Sequence, residues 1–556
     1  MKKICLLTTS LVITFFSFSQ NISGKWNFQS ILPDTLQNGK NIKDISNGDY
    51  MQINEDGTFY YEIVKENLFA NGRWDLKDHH LSLHYKIPVD TTRKYHLDAN
   101  EMSLTLNENG INFTFHRDTK IIGNGFSFNN LMRGLLGMIT LLLIAFAFSR
   151  NRKGIDWQLV WKGLLIQVVF AGLILKVSFV QKGFEWLSSV FVTVLGFTRE
   201  GSLFLFGDIV DNIDSFGFIF AFQVLPTILF FSALTSLLFY YGILQKMVYA
   251  FAFFMKKTLK LSGSESLAAA GNIFLGQTES PLLIKPYIDK MTLSELLCLM
   301  SGGMATIAGG VLAAYIGFLG GSDPVQQLFF AKHLLAASVM SAPAAIVAAK
   351  ILLPETEDVD KNMSISEEQL GTNALEAISI GTMQGLKLAV NVGTMLLVFI
   401  SFIAMANYFL QDFIGESTGI NNWVASITDG QYDGLTLQFI LGYTLAPITW
   451  LLGVCAQDVV LVGQLLGEKT ILNEFVAYVS LGELKASGKF FEEKSIIIAT
   501  YILCGFANFA SIGIQIGGIG ALAPNRRSDL SRLGILALIG GTIASLFTAV
   551  IVGMLI

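Results

Sequence analysis

The rhythm of apolar and polar positions changes at about residue 120. Before that point, runs such as "MQINEDGTFYYEI" and "MSLTLNENGINFTF" alternate with period two and turn at Asp-Gly and Asn-Gly corners. This is the pattern of short antiparallel strands joined by tight hairpins. Beyond it, long apolar segments take over at roughly 131–148, 157–178, 219–243, 294–318, 327–353, 384–409, 496–520 and 533–556. Each comes close to the ~20 residues that a helix needs to cross a bilayer. The expected fold is an α-helical polytopic membrane protein, with about eight transmembrane helices behind a small antiparallel β domain.

Two stretches do not fit as simple spans. Within "NIFLGQTESPLLIKP", the apolar runs 267–275 and 282–288 are too short to cross, and Gly276 and Pro281 loosen the chain between them. The expected shape is a re-entrant hairpin with Gln277, Thr278, Glu279 and Ser280 at its tip. The second stretch, "GYTLAPITWLLGVCAQDVVLVGQLLGEKTILNEFVAYVSL", is interrupted by Pro447 and several glycines, carries Asn473 and Glu474, and reads as a second hairpin. A Gly-interrupted span follows each hairpin, "SGGMATIAGGVLAAYIGF" and then "GFANFASIGIQIGGIGAL", and an intact span follows each of those. This order occurs twice with the single span 384–409 between, so the second copy should enter the membrane from the opposite side. Matching interrupted segments in two halves point to the substrate site of a transporter.

Composition supports the membrane assignment: 52% of the residues are hydrophobic and 15% charged, and mean hydropathy is +0.53. The net charge of −5 and the lack of a long basic run argue against nucleic acid as a partner. Cys5, Cys298, Cys455 and Cys504 show no CxxC spacing and suggest neither a disulfide framework nor a metal site. The opening "MKKICLLTTSLVITFFSFSQ" is built like a secretory leader, which would export the β domain. Basic clusters at Arg150, Arg152 and Lys153, at Lys256, Lys257 and Lys260, and at Arg526, Arg527 and Arg532 then fall on the inner side.

The expected organisation is a leader over 1–20, a β domain over 21–118, a linker over 119–130 and scaffold helices over 131–243. A first transport repeat (244–353), a cytoplasmic loop (354–383), a scaffold helix (384–409) and a second repeat (410–556) complete it. The β domain opens with "ISGKWNF", similar to the Gly-x-Trp first strand of lipocalin-like barrels. Its His79, His80, His84 and His96 lack a nearby Cys or clear ligand spacing and read as surface histidines.

A carboxylate inside a bilayer costs at least ~2.5 kcal/mol, so Glu279 and Glu474 are functional candidates. The competing reading pairs them with Lys285 and Lys469 in internal salt bridges. Gln277, Thr278 and Glu279 on one hairpin, Glu474 on the other, and Asn508 and Ser511 at the second helix break form a hydrogen-bonding set without Arg. A phosphate or carboxylate substrate would recruit Arg, so a neutral solute rich in hydroxyl and amide groups fits better. Phe506 offers a ring face on which a planar base could stack. Freed carbonyls near Leu275 and Ile307, with the side-chain oxygens of Asn272 and Thr306, would make an oxygen site for a hard cation.

The stretches "GNIFLGQTESPLLIKPYI", "NEFVAYVSL", "GFANFASIGI" and "IGALAPNRRSDLSRLG" resemble the signature stretches of the concentrative nucleoside transporter family, a likeness that runs from about Trp157 to Ile556. The resemblance implies a homotrimer in an inner or plasma membrane, importing nucleosides by alternating access in symport with sodium. It implies that Gln277, Thr278 and Glu279, helped by Val311, bind the base, that Glu474, Asn508 and Ser511 hold the ribose, and that Asn272, Leu275, Thr306 and Ile307 hold sodium. Ser280 stands where Ala is usual, and Thr306 where Ser is frequent. Since some relatives use protons, coupling to protons remains open at this level. A receptor with an exported sensing domain, or an intramembrane hydrolase using Glu279 and Glu474, are the alternatives from other classes. No output domain and no HExxH or GxSxG motif accompanies them.

Overall fold

The computed structural model describes residues 24–33, 49–53, 57–63, 68–77, 80–87, 91–99, 103–108, 110–117, 128–212, 219–321, 323–360, 371–428 and 430–556. The expected leader and His79 lie outside these residues. The chain divides into two compact units, Met1–Ile121 with Ser487–Phe491, and Ile122–Ala486 with Glu492–Ile556.

In the first unit the strands β1 (Gly24–Pro33), β2 (Tyr50–Ile53), β3 (Thr58–Ile63), β4 (Leu68–Lys77), β5 (His80–Ile87), β6 (Thr91–Ala99), β7 (Ser103–Glu108) and β8 (Ile111–Arg117) pair antiparallel in chain order. β8 also pairs with β1, so the sheet is a closed barrel without a free edge. Side-chain alternation makes the interior: Leu81, Leu83 and Tyr85 of β5 are buried, and Trp26, Phe59, Leu104 and Phe115 join them. The Asn-Gly corner is a two-residue hairpin closed by the pair Glu108 and Ile111, with Gly110 at φ 79°. A side chain there would be strained, which is why Gly follows Asn. His80 faces His96 across β5 and β6 with ring centroids 5.3 Å apart, whereas His84 Nδ1 lies 2.9 Å from Thr92 Oγ1.

The second unit is helical. Its main helices are α1 (Phe128–Ala147), α2 (Trp157–Lys176), α3 (Ser178–Phe206), α4 (Leu225–Tyr240), α5 (Ile243–Leu259), α6 (Gly263–Asn272), α7 (Leu293–Ala305) and α8 (Gly309–Gly320). They continue as α9 (Pro324–Leu352), α10 (Ala374–Tyr408), α11 (Leu437–Leu451), α12 (Val459–Ile471), α13 (Glu474–Ala486), α14 (Glu493–Leu503), α15 (Phe509–Leu522) and α16 (Arg527–Leu555). Among the described residues, eight helical segments are long and apolar enough to cross a membrane.

These are not the eight segments expected from hydropathy. The 29-residue α3 was not expected as a span, because Lys182, Glu185, Arg199 and Glu200 dilute its apolar run. One of those charges is met in the fold, where Lys332 Nζ lies 3.2 Å from Glu185. The helix expected at 384–409 begins at Ala374, where Asn373 caps it through Glu376 N–H, so the preceding loop is shorter than expected. The segment 496–520 is two helices, α14 and α15, with a break between them. Pro447, taken as an interruption of the second hairpin, lies inside the continuous helix α11, and the chain instead turns after α11 at Gly453, which has φ 105°.

Polar caps locate the helix ends. Ser262 with Glu265, and Thr292 with Glu295, form reciprocal capping boxes at the starts of α6 and α7. Both starts meet at Lys350 near the end of α9, whose ammonium pairs with Glu265 and donates to Ser294 Oγ at 2.9 Å. Ser264 Oγ donates to Glu295 at 2.9 Å, and Thr292 Oγ1 to Glu355 at 2.7 Å, so the buried charges have polar company. The chain from Ser262 to Ser294 thus leaves one place and returns to it. The second half repeats this: Asp458, which precedes α12, accepts from the N–H of Glu492, which precedes α14, at 3.0 Å. Removing one partner of a buried ion pair costs about 3–5 kcal/mol. Lys350→Met is accordingly expected to lower thermal stability measurably in detergent, because Glu265 would keep its burial and lose its counter-charge.

Candidate functional site

The helix breaks lie back to back. Thr306 ends α7 in extended backbone, φ −115° and ψ 170°. Between α14 and α15 the chain passes through Gly505 at φ 104°, and a Cβ there would fall 2.6 Å from the Ala305 carbonyl carbon and the Met304 oxygen. Only glycine allows this approach. Gly541 of α16 serves similarly, since its Cβ would lie 2.6 Å from Met304 Cβ.

α6 stops at Asn272, and the tip of the first hairpin runs through Gly276 to a 3-10 turn, Ser280–Ile284, and a short helical turn, Lys285–Ile288. Gln277 is buried, Thr278 is exposed, and Glu279 is intermediate. Glu279 accepts from Gly276 N–H at 3.2 Å. Thr278 rests on α15, where a Cβ at Gly518 would meet its Cγ2 at 2.7 Å. The amide of Gln277 crosses to the other half of the chain and donates through Nε2 to Ser511 Oγ at 3.2 Å.

At the second break, Asn508 caps α15 by accepting from Ser511 N–H at 2.9 Å, and its own Nδ2 donates to Glu474 Oε2 at 2.6 Å. Four of the expected residues thus form one chain of contacts, Glu474 to Asn508 to Ser511 to Gln277, across two hairpins and a break. Phe506 is buried within that break, and Val311 is buried in the first turn of α8. Phe506 is tied to the chain through its backbone, its carbonyl accepting from Asn508 N–H at 2.9 Å, whereas no hydrogen bond ties Val311 to it among the described residues.

Among the described residues no ion pair links Glu279 or Glu474 to a base. The internal salt-bridge reading therefore fails at Glu474, whose supposed partner Lys469 donates elsewhere, to the carbonyls of Ile502 and Cys504 at 2.8 and 3.3 Å and to Ser545 Oγ at 3.2 Å. At the first break, Asn272 donates through Nδ2 to Leu299 O at 3.4 Å, and its buried Oδ1 has no hydrogen-bond partner. Thr306 Oγ1 donates to Gly302 O at 2.9 Å, which leaves its lone pairs open. Leu275 and Ile307 are buried beside them in sequence. An unpartnered buried amide oxygen is costly unless something electropositive meets it, so the residues present fit a hard cation.

Two further residues belong to this region and were missed from sequence. Gln515 of α15 donates to Gln277 Oε1 at 3.1 Å and to Met300 O at 2.9 Å, fixing which way the Gln277 amide faces. It follows Ser511 by four residues, the spacing that places both on one helix face. Tyr315 of α8 stacks on Tyr478 of α13 at 4.1 Å, and its buried hydroxyl lies beside Glu474.

Models of three parts of one transporter family match most of this unit. The Na+ dependent nucleoside transporter N-terminus matches residues 136–209, the nucleoside recognition "Gate" matches 221–322, and the Na+ dependent nucleoside transporter C-terminus matches 333–553. An "Uncharacterized transporter" of Haemophilus influenzae is 41% identical over 431 residues, which is 77% of this chain and 98% of that protein. The chain belongs to the Na+ dependent nucleoside transporter family. Sodium/nucleoside cotransporter 1 of Rattus norvegicus is 38% identical over 75% of this chain and 63% of its own length. The solved structure of CNTnw in an inward-facing substrate-bound state superimposes with a TM-score of 0.69 at 37% identity, covering 77% of this chain and 98% of that one. As a member of this family, the protein is a helical polytopic membrane transporter, with a β-barrel at its N-terminus beyond the matched region.

Proposed function

We propose that this protein is a sodium-coupled symporter that imports nucleosides by alternating access. The observation that carries the reading is the hydrogen-bonded chain Glu474–Asn508–Ser511–Gln277, beside the unpartnered oxygen of Asn272. Glu474, Asn508 and Ser511 hold the ribose hydroxyls, since a carboxylate accepts from two hydroxyls while Asn and Ser both donate and accept. Gln277, Thr278 and Glu279 read the edge of the base, Val311 and Phe506 flank its plane, and Gln515 holds the Gln277 amide. Asn272 Oδ1, Thr306 Oγ1 and the carbonyls of Leu275 and Ile307 hold sodium. A bound cation supplies charge and backbone order here and no chemistry on the substrate.

The segments Ser262–Ser294 and Asp458–Glu492 act as re-entrant hairpins of two inverted repeats. They move as a unit against a homotrimeric scaffold in an inner or plasma membrane, and Lys350 ties the first hairpin to its whole helix. The signal peptide places the barrel, lipocalin-like in form, on the periplasmic or extracellular side.

Uptake of labelled uridine into proteoliposomes, with and without an inward sodium gradient, tests the reading. Concentrative uptake that requires the gradient is expected. A protein that binds uridine without moving it would instead act as a receptor. Deleting residues 21–118 behind the leader is expected to leave sodium-driven uptake measurable, because the barrel has its own closed sheet and its own core. Loss of uptake in correctly inserted, trimeric protein would make the barrel part of the transport cycle.

A further inference from the structure

Lys469 is fully buried in the last turn of α12, and among the described residues no carboxylate pairs with its ammonium. Its three oxygen neighbours are the carbonyls of Ile502 and Cys504 and the hydroxyl of Ser545. Ser545 Oγ is itself placed to donate to Cys504 O at 2.8 Å or to Gly541 O at 3.2 Å, so toward Lys469 it acts as an acceptor. Three acceptors require three N–H donors, and only the protonated amine has them. The charge is therefore spent on the carbonyl end of α14. A half-helix that stops inside the membrane leaves partial negative charge and freed carbonyls at that end.

The first break is built from the same order of elements and lacks this charge. There α7 stops inside the bundle, and the last residue of α6, Asn272, donates to Leu299 O, midway along α7. The neighbouring whole helix supplies a serine in each half, although to different ends: Ser338 on α9 donates to Ile273 O, just after α6, at 2.8 Å, and Ser545 on α16 to Cys504 O, just after α14, at 2.8 Å. The element order is also the same: α6 and α12 lead into the hairpin tips, α7 and α14 break, and α9 and α16 are whole. The contrast is in the side chain presented. Asn272 offers an unpartnered oxygen, and Lys469 offers a cation.

We propose that the Lys469 ammonium is a tethered cation that fills, at the second helix break, the place a mobile sodium ion takes at the first. One break then loads and unloads its charge while the other keeps it, so the cycle moves one sodium ion per nucleoside. The inference rests on the sodium-coupled reading above and adds to it which break is free to exchange its ion.

The test uses the full-length protein. Wild type should show sodium-dependent uridine binding and uptake with a Hill coefficient of about 1, and a current equal to one charge per uridine. Lys469→Ala removes the charge and opens the space. Its uridine affinity should fall at least about tenfold, equivalent to ~1.4 kcal/mol. Ethylammonium, or sodium at a Hill coefficient that rises toward about 2, should restore that affinity. Lys469→Met fills the space without charge and should be weak and unresponsive to both. Wild-type affinity in Lys469→Met, or a folded Lys469→Ala that no cation restores, would overturn the proposal. Should Lys469→Ala fail to fold, the wild-type current decides alone: two charges per uridine would show that the second break also exchanges an ion. Absence of sodium-dependent uridine uptake by the wild type would instead remove the function itself, an outcome distinct from all of these.

Discussion

Glu474→Gln abolishes uptake while the protein still inserts and folds. The carboxylate is buried and accepts from Asn508 Nδ2 at 2.6 Å, and hydrogen bonds to an ionised acceptor are the stronger kind. A glutamine keeps the shape and one acceptor oxygen, and its amide group donates where the ribose hydroxyls need acceptors. One oxygen cannot serve Asn508 and two hydroxyls together. A site built to hydrogen-bond a substrate loses ~10⁴-fold when the pairing fails completely, so a fall in uridine uptake of at least ~100-fold is a conservative expectation. Uptake in proteoliposomes measures it, and size-exclusion behaviour and thermal stability report folding. Near-normal uptake would take Glu474 out of the substrate site.

Gly505→Ala should remove both uptake and a large part of the stability. The added methyl would sit 2.6 Å from backbone atoms of Met304 and Ala305, and alanine does not tolerate φ 104°. Left-handed strain of about 1–2 kcal/mol and overpacking of about 1–3 kcal/mol add to roughly 2–5 kcal/mol. The neighbour at risk is backbone, so no side chain can turn aside, and the two breaks must separate. The oxygens proposed for sodium near Thr306 and the contacts proposed for the ribose near Asn508 would then lose their common frame. Gly513, in the half-helix α15 that follows the break, has nothing within 4 Å of its Cβ position, and Gly513→Ala should stay close to wild type in both thermal stability and uptake. Equal behaviour of the two variants would show that the close approach of the breaks is unimportant.

Much of this architecture was legible because interruption leaves a mark on an apolar sequence. Short runs on either side of Gly276 and Pro281, and glycines within "GFANFASIGI", announced the stop of α6 and the break between α14 and α15. Gln277, Glu474, Asn508 and Ser511 stood out as polar residues at those interruptions. The helix α3 was hidden because four charges lower its hydropathy, and hydropathy does not distinguish a charged helix from a loop. Lys469 was misread because Glu474, five residues on and also in an apolar setting, suggested a salt bridge. Its true partners are carbonyls, which every residue carries and no sequence singles out. Gln515 was overlooked for a related reason, since its partner Gln277 lies 238 positions away.

The β-barrel shows the opposite balance. Its strands and the tight Asn-Gly corner follow from period two and turn chemistry, while its closure depends on β8 finding β1, a pairing that no local pattern specifies.

The proposed sites put ion and nucleoside on one segment, and linkage between them follows. Asn272 ends α6 seven residues before Glu279, so a cation held by Asn272 and Thr306 orders the backbone that presents Gln277, Thr278 and Glu279. Each ligand must then tighten the other by the same factor. Thr306→Val removes one oxygen from the ion and none from the nucleoside, so sodium affinity should weaken while nucleoside affinity at saturating sodium stays near wild type. The decisive measurement is uridine affinity of the purified protein in detergent across a sodium titration at several pH values. Affinity that tightens with sodium, with a midpoint shifted to higher sodium in Thr306→Val and independent of pH, is the expected result; affinity that ignores sodium and follows pH would contradict it.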